Sequence, residues 1–102
     1  MAKSFFAIDA ERPHFADLLE YIRQSPDSVF RYDISKDMPH IPDQELNNDL
    51  RFATQNGFCE KKRVSSPQHR GQSIVGYGPL TSRGERYLES AASRKLSPIE
   101  VA

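Results

Sequence analysis

The chain has 102 residues, of which 37% are hydrophobic and 27% are charged, and its formal net charge is zero. This is the size and composition of one globular domain and is not typical of a disordered chain. No apolar run is long enough to span a membrane, the N-terminal apolar stretch is too short for a signal peptide, and Cys59 has no cysteine partner, so we expect a cytoplasmic protein without disulfides.

The N-terminal part predicts a helix preceded by a short apolar segment. Phe5, Phe6 and Ile8 are expected to form an edge strand or an arm. A helix over about 10–24 follows, with Asp9 as its cap and Pro13 near its first turn. Its apolar residues recur at helical spacing, and they are Phe15, Leu18, Leu19 and Ile22. Pro26 breaks this helix.

Two closely spaced helices are predicted next. Val29 and Phe30 form a brief β-like pair, and residues 32–38 predict one or two helical turns that Pro39 ends. Pro42 begins a helix over 42–56, with acidic residues in its first turn, where the helix dipole favours negative charge. Gly57 ends this helix because glycine adopts the left-handed conformation without penalty.

The remaining pattern predicts a β-hairpin and a last helix. Residues 58–64 and 73–77 are strand-like and flank a polar turn at 65–71, and residues 78–79 end the second strand. Thr81 or Ser82 caps the last helix, with Glu85 as the acidic partner of a capping box from Ser82. We therefore predict an α+β domain over 1–95 and a flexible C-terminal tail over 96–102.

Two motifs carry a resemblance to a known family. Residues 46–58, LNNDLRFATQNGF, resemble the second helix of the helix-turn-helix in small winged-helix regulators. Residues 77–88, YGPLTSRGERYL, resemble the segment after the wing in many bacterial and phage winged-helix proteins. The resemblance spans about residues 13–92 as an architecture. It implies a winged helix-turn-helix with a three-helix core, a two-stranded β-hairpin wing and a C-terminal helix.

Gly84 has a physical interpretation within the second motif. A glycine in the first turn of a helix costs about 1 kcal/mol relative to alanine. We therefore expect the last helix to begin close against a neighbouring backbone, where a larger residue would not fit.

The resemblance implies that the helix at 42–56 enters the major groove of DNA. Amide side chains can pair with adenine edges and arginine with guanine edges, and the outward candidates are Gln44, Asn47, Asn48, Arg51 and Gln55. Asp43, Glu45 and Asp49 count against this role because phosphates repel them. The alternative is that this helix presents only a solvated polar face.

The hairpin is the stronger electrostatic candidate. Residues 1–60 carry 6 basic and 11 acidic side chains, whereas residues 61–102 carry 8 and 3. Phosphate contacts are therefore expected in and around the wing, from Lys61, Lys62, Arg63, His69 and Arg70. Arg83 and Arg86 could extend this basic patch, and the alternative is a flexible loop that only improves solubility.

Nothing in the sequence indicates catalysis. His14, His40 and His69 fit no zinc pattern with one cysteine, and Cys59 is expected to be a partly buried core residue. We expect a non-enzymatic protein without cofactor or metal, a small transcriptional regulator that binds double-stranded DNA. A homodimer through the N-terminal arm or the C-terminal helix stays open. The alternative function is a winged-helix protein-interaction module that uses its acidic face.

Overall fold

The computed structural model describes residues 5–25, 28–65 and 73–91, and within these ranges it contains five helices and three antiparallel strands. The helices are α1 (Phe5–Glu11), α2 (Phe15–Gln24), α3 (Arg31–Asp37), α4 (Asp43–Gln55) and α5 (Ser82–Glu89). The strands are β1 (Val29–Phe30), β2 (Cys59–Ser65) and β3 (Ser73–Leu80), and their order in the sheet is β1-β3-β2. The predicted α+β class is confirmed, while the tail expected over 96–102 lies outside the described residues.

The helical periodicity of the sequence identifies the core correctly. The predicted apolar residues of α2 are each at most 1% exposed, and they are Phe15, Leu18, Leu19 and Ile22. The inner side of α4 is equally buried and consists of Leu46, Leu50 and Ala53. Gly57 follows α4 with a φ of +75°, the left-handed conformation that was expected there.

Phe58 lies at the centre of an aromatic cluster just before β2. Its ring is fully buried, and four rings surround it at centroid distances of 5.3 to 6.1 Å, those of Phe5, Phe15, Phe52 and Tyr87. These rings come from α1, α2, α4 and α5. Because aromatic side chains bury large areas and favour such tilted contacts, this one residue holds four helices together.

The N-terminal apolar segment is a helix, so the expected edge strand or arm is wrong. Ile8 is 1% exposed and the Phe5 ring packs edge-on against Tyr87 at 5.1 Å, whereas Phe6 is 57% exposed. The i, i+3 spacing of Phe5 and Ile8 places both on one helix face, while a strand would have paired Phe6 with Ile8. Consequently α2 begins at Phe15 and not near residue 10.

The sheet is larger than the predicted two-stranded hairpin. The partner of Val29 is Tyr77, so β1 joins β3 as a third strand. Residues 78–79 do not end β3, which continues to Leu80 because Leu80 pairs with Cys59 across a register shift in β2. Pairing with a neighbouring strand has here overridden the local preference of a Gly-Pro sequence.

The first turn of α5 docks on the backbone of Phe58. The N–H of Thr81 donates to the Phe58 carbonyl at 3.0 Å, and the Thr81 hydroxyl oxygen accepts from the N–H of Gly84 at 3.2 Å. A Cβ on Gly84 would lie 2.2 Å from that carbonyl oxygen. The expected close approach is therefore confirmed. The capping box from Ser82 with Glu85 is wrong, because Thr81 is the cap.

Gly84→Ala tests this docking. The change removes the helix-propensity cost of glycine, about 1 kcal/mol, and would stabilise an open helix. Here the new methyl group meets a backbone oxygen, so we expect the free energy of unfolding in urea to fall by about 3 kcal/mol. Ser82→Ala, at an exposed position of the same turn, is the control and should change stability little. An increase in stability for Gly84→Ala would contradict the docked arrangement.

Candidate nucleic-acid interface

The polar residues predicted for DNA reading form one stripe on α4. Gln44, Asn47, Asn48 and Arg51 are all exposed, and Gln55 continues the row. Their i, i+3, i+4 and i+7 spacing aligns them along one side of the helix, opposite Leu46, Leu50 and Ala53. The structure therefore brings together the whole predicted set on a single convex face.

The acidic residues of α4 are engaged away from this stripe. Asp49 is 1% exposed, and its Oδ1 accepts a hydrogen bond at 2.8 Å from Arg12 Nη1 in the connection before α2. Glu45 is bound to the Nδ1 of His14, and Asp43 accepts a hydrogen bond from the Ser35 hydroxyl at 3.3 Å. Of these three carboxylates, Asp49 is paired with a fixed positive charge, whereas the Ser35 hydroxyl leaves the charge of exposed Asp43 in place.

The Arg12–Asp49 pair also anchors α4 to the N-terminal helices. The Arg12 guanidinium lies over the Phe52 ring, 4.2 Å from its centroid, so it is held by both charge and stacking. Burial raises the pKa of Asp49, and the hydrogen bond and charge of Arg12 partly offset that rise. Within the described residues the second oxygen of Asp49 has no hydrogen-bond partner, so this carboxylate depends on Arg12.

An open depression of about 400 Å³ lies beside this pair. Most of its lining residues carry a carboxylate or an amide group. The full lining consists of Glu11, Arg12, Pro13, Pro42, Gln44, Glu45, Asn48 and Asp49. Phosphate groups would be repelled from this region. A polyanion is therefore expected to approach the other end of the stripe, at Arg51.

The basic residues of β2 are exposed but lie on both faces of the sheet. Lys61 pairs with Tyr77 and Arg63 with Val75, while Lys62 pairs with Gly76. Directly opposed residues of antiparallel strands point to the same face, and successive residues alternate. Lys61 and Arg63 thus share the Tyr77 side and Lys62 lies on the opposite side. The other predicted wing residues, His69 and Arg70, lie outside the described part of the chain.

The charges of two arginines act on Tyr77. Burial raises the pKa of its phenol and the nearby thiol of Cys59 adds to the rise, whereas the charges of Arg31 and Arg51 lower it. Both arginines therefore lie near enough to Tyr77 for their charges to act on its hydroxyl. We use the name Tyr77 face for the set of exposed cations Arg31, Arg51, Lys61 and Arg63.

Arg31 is the member of this surface that sequence reasoning missed. It follows directly after β1, and only the pairing of β1 with β3 brings it close to Tyr77. Across residues 5–25, 28–65 and 73–91, the four cations of the Tyr77 face have no salt-bridge partner, in contrast to Arg12 and Arg23. Their charges remain available to a bound anion.

The chemistry of the other candidate groups is limited. Burial raises the pKa of Cys59 to about 11, so its thiol stays protonated at neutral pH, as expected for a core residue. The rings of His14 and His40, distant in sequence, meet edge to face at 5.3 Å. The described residues contain no grouping of three potential metal-binding side chains, and their helices are too short and polar to cross a membrane.

Comparisons with known proteins found no relative of this chain. No protein-family model matches the chain, and neither curated proteins nor solved structures give a significant match. We therefore infer function from the arrangement of residues in the fold.

Arg12→Met tests the anchoring of α4. The substitution leaves a buried carboxylate unpaired and should lower the free energy of unfolding by about 2 kcal/mol at neutral pH. Asp49→Asn, which removes the charge and keeps an acceptor for Arg12, should cost less. Urea unfolding at neutral pH compares the two variants, and a larger loss for Asp49→Asn would contradict the dependence of this carboxylate on Arg12.

The effect of Arg12→Met should also depend on pH. Burial raises the pKa of Asp49 in the folded protein above its ordinary value of 3.8. The contribution of Asp49 to the free energy of unfolding is therefore greatest below pH 3.8, and it is lost as pH rises through the pKa of Asp49 in the folded protein. Removing Arg12 raises the folded pKa further. The stability difference between wild type and variant should therefore shrink when pH falls towards 3.8, and a difference that stays constant would contradict this assignment.

Proposed function

We propose that the chain is a winged helix-turn-helix protein that binds double-stranded DNA. In this proposal α3 and α4 form the helix-turn-helix, and β2 and β3 form the wing. The observation that carries it is an exposed stripe of amides and Arg51 on α4, together with exposed cations on one side of β2 that have no salt-bridge partner among the described residues. Such a surface offers donors and acceptors for base edges beside cations for phosphates.

The order of elements supports the same proposal. After α1, the described residues run helix, short strand, short helix, helix, hairpin strands and helix. This is the order predicted from the sequence, and the resemblance of residues 46–58 and 77–88 to winged-helix regulators implies it. In helix-turn-helix proteins the second helix lies in the major groove. Here that helix is α4, which is why we extend the proposal to a small transcriptional regulator.

The pairing of the acidic residues favours DNA over a basic protein partner. A protein-interaction module would use an acidic face, but Asp49 is buried against Arg12, and the exposed stripe of α4 carries amides and Arg51. Exposed cations without a salt-bridge partner among the described residues lie on α4 and β2 instead, at Arg51, Lys61 and Arg63.

Single substitutions in β2 test the proposal. We expect Lys61→Gln and Arg63→Gln each to weaken binding to a short mixed-sequence duplex and to reduce the slope of log affinity against log salt by about 0.9, one phosphate contact. Lys62→Gln is the matched control because it removes the same charge from the same strand on the opposite face. Fluorescence anisotropy across a salt series measures all three.

Two outcomes would contradict this expectation. No binding by folded wild-type protein at low salt would exclude DNA binding. Equal losses for Lys61→Gln, Lys62→Gln and Arg63→Gln would exclude a contact made through one face of the sheet.

Substitutions on α4 test base reading separately from phosphate binding. Once a preferred duplex has been selected, Asn47→Ala and Asn48→Ala should each reduce discrimination against a shuffled duplex by about 1–3 kcal/mol, because an amide pairs specifically with a base edge. The salt dependence should stay unchanged, since asparagine carries no charge. Thr54→Ala, on α4 but outside the stripe, serves as the control. Unchanged discrimination in both asparagine variants would assign α4 a positioning role only.

A further inference from the structure

The open depression beside the Arg12–Asp49 pair joins two parts of the chain that are distant in sequence. Its volume is about 400 Å³, and its lining comes from residues 11–13 around the end of α1 and from the first turns of α4 with the proline before them. The hydrogen bond of 2.8 Å between Arg12 and Asp49 links the two sides. Ligand sites are usually concave and largely formed before the ligand binds, and this depression meets that description.

Asp49 brings an unsatisfied acceptor to the depression. It is the most deeply buried residue of the lining, with 2% of its side chain exposed. Its Oδ1 accepts from Arg12, whereas its Oδ2 is buried and has no hydrogen-bond partner among the described residues. An ionised carboxylate accepts about four hydrogen bonds, and a buried acceptor without a donor is costly. The depression therefore lacks a donor at its most buried residue.

The other polar groups of the lining are also acceptors or carry negative charge. Glu45 lies one helical turn before Asp49, and its contact with His14 uses Oε2, which leaves Oε1 for a ligand. Gln44 and Asn48 form the neighbouring row of α4, and each exposes an amide oxygen. In total the lining holds three carboxylates and one guanidinium. A ligand that complements it is positively charged and donates hydrogen bonds.

We propose that this depression binds a primary ammonium group on a short aliphatic chain, with Asp49 and Glu45 accepting its hydrogen bonds. The rings of Pro13 and Pro42, which also line the depression, provide apolar surface for the aliphatic chain. This inference does not depend on DNA binding, and it assigns a ligand to a part of the surface from which phosphate groups are repelled.

The chemistry of the lining favours an ammonium group over a metal ion. No three potential metal-binding side chains converge within the part of the chain that the structure describes. An ammonium group is a compact cation with three donors and no acceptor, so two carboxylates and an amide oxygen satisfy it. The proline rings would add nothing to the binding of a bare ion, whereas they complement an alkyl chain.

A titration followed by nuclear magnetic resonance tests the site. Butylamine, which is protonated at neutral pH as a lysine side chain is, is added to the full chain labelled with ¹⁵N at constant ionic strength. We expect saturable shifts of the backbone amide signals of Arg12 and of residues 44–49. Butanol, the neutral analogue of similar size, should cause no such shifts. Calcium chloride tests a metal ion at the same residues.

Three variants assign the acceptors. Asp49→Asn should weaken butylamine binding about tenfold, because hydrogen bonds to a charged group are strong, and Glu45→Gln should weaken it several-fold. Asp43→Asn is the matched control, since it removes the same charge from an exposed position of the same helix outside the lining. It should leave the affinity unchanged. Circular dichroism confirms that each variant is folded.

Two further probes distinguish the sources of the ammonium group. Putrescine represents a free amine, and lysine with an acetylated amino group and an amidated carboxyl group represents a side chain of a protein partner. Tighter binding of putrescine assigns the site to free amines, and the reverse order assigns it to a lysine side chain. Both orders support an ammonium site.

Four results would overturn the proposal. They are equal shifts with butylamine and butanol, full affinity in folded Asp49→Asn and Glu45→Gln, an equal loss in Asp43→Asn and Asp49→Asn, and tighter binding of calcium than of butylamine. An equal loss would mean that net charge alone acts. All of these results are obtained without DNA, so they leave the proposed function untouched, and a failure to bind DNA leaves the ammonium site untouched.

Discussion

The packing around Phe58 is the constraint on which the other contacts depend. Its ring is the common neighbour of aromatic rings from four helices, and its carbonyl receives the N–H of Thr81 at 3.0 Å. A single residue thereby links the end of α4, the start of β2 and the start of α5. Gly84 is required because no Cβ fits beside that carbonyl. The orientation of the hairpin relative to α4 follows from this junction.

Charge pairing converts a mixed sequence into a two-sided surface. In the connection between α1 and α2, Arg12 pairs with Asp49 and His14 contacts Glu45. The outward stripe of α4 is left with amides and Arg51. Removing charges from a surface by pairing is effective because a paired, partly buried carboxylate contributes little field to a distant anion. The zero net charge of the chain is thus compatible with a locally cationic face.

Strand pairing decides which basic residues act together. The register of β2 against β3 separates Lys62 from Lys61 and Arg63, although the three are consecutive in sequence. The pairing of β1 with β3 adds Arg31, which is distant from them in sequence. A count of charges along the chain cannot reveal this grouping, because the face of a strand residue depends on its partner.

The sequence by itself determined the features that follow from local chemistry. The 3.6-residue periodicity of α2 and α4, the left-handed Gly57 and the close approach at Gly84 were all readable from residue type and spacing, and so was the polar stripe of α4. Tertiary structure decided the features that need a distant partner. It made the segment at 5–8 a helix on the Tyr87 ring, extended β3 to Leu80 and buried Asp49 against Arg12. Hydrogen bonding between strands and ion pairing across 37 positions leave no local pattern, so the sequence alone did not reveal the partners of Val29 and Asp49.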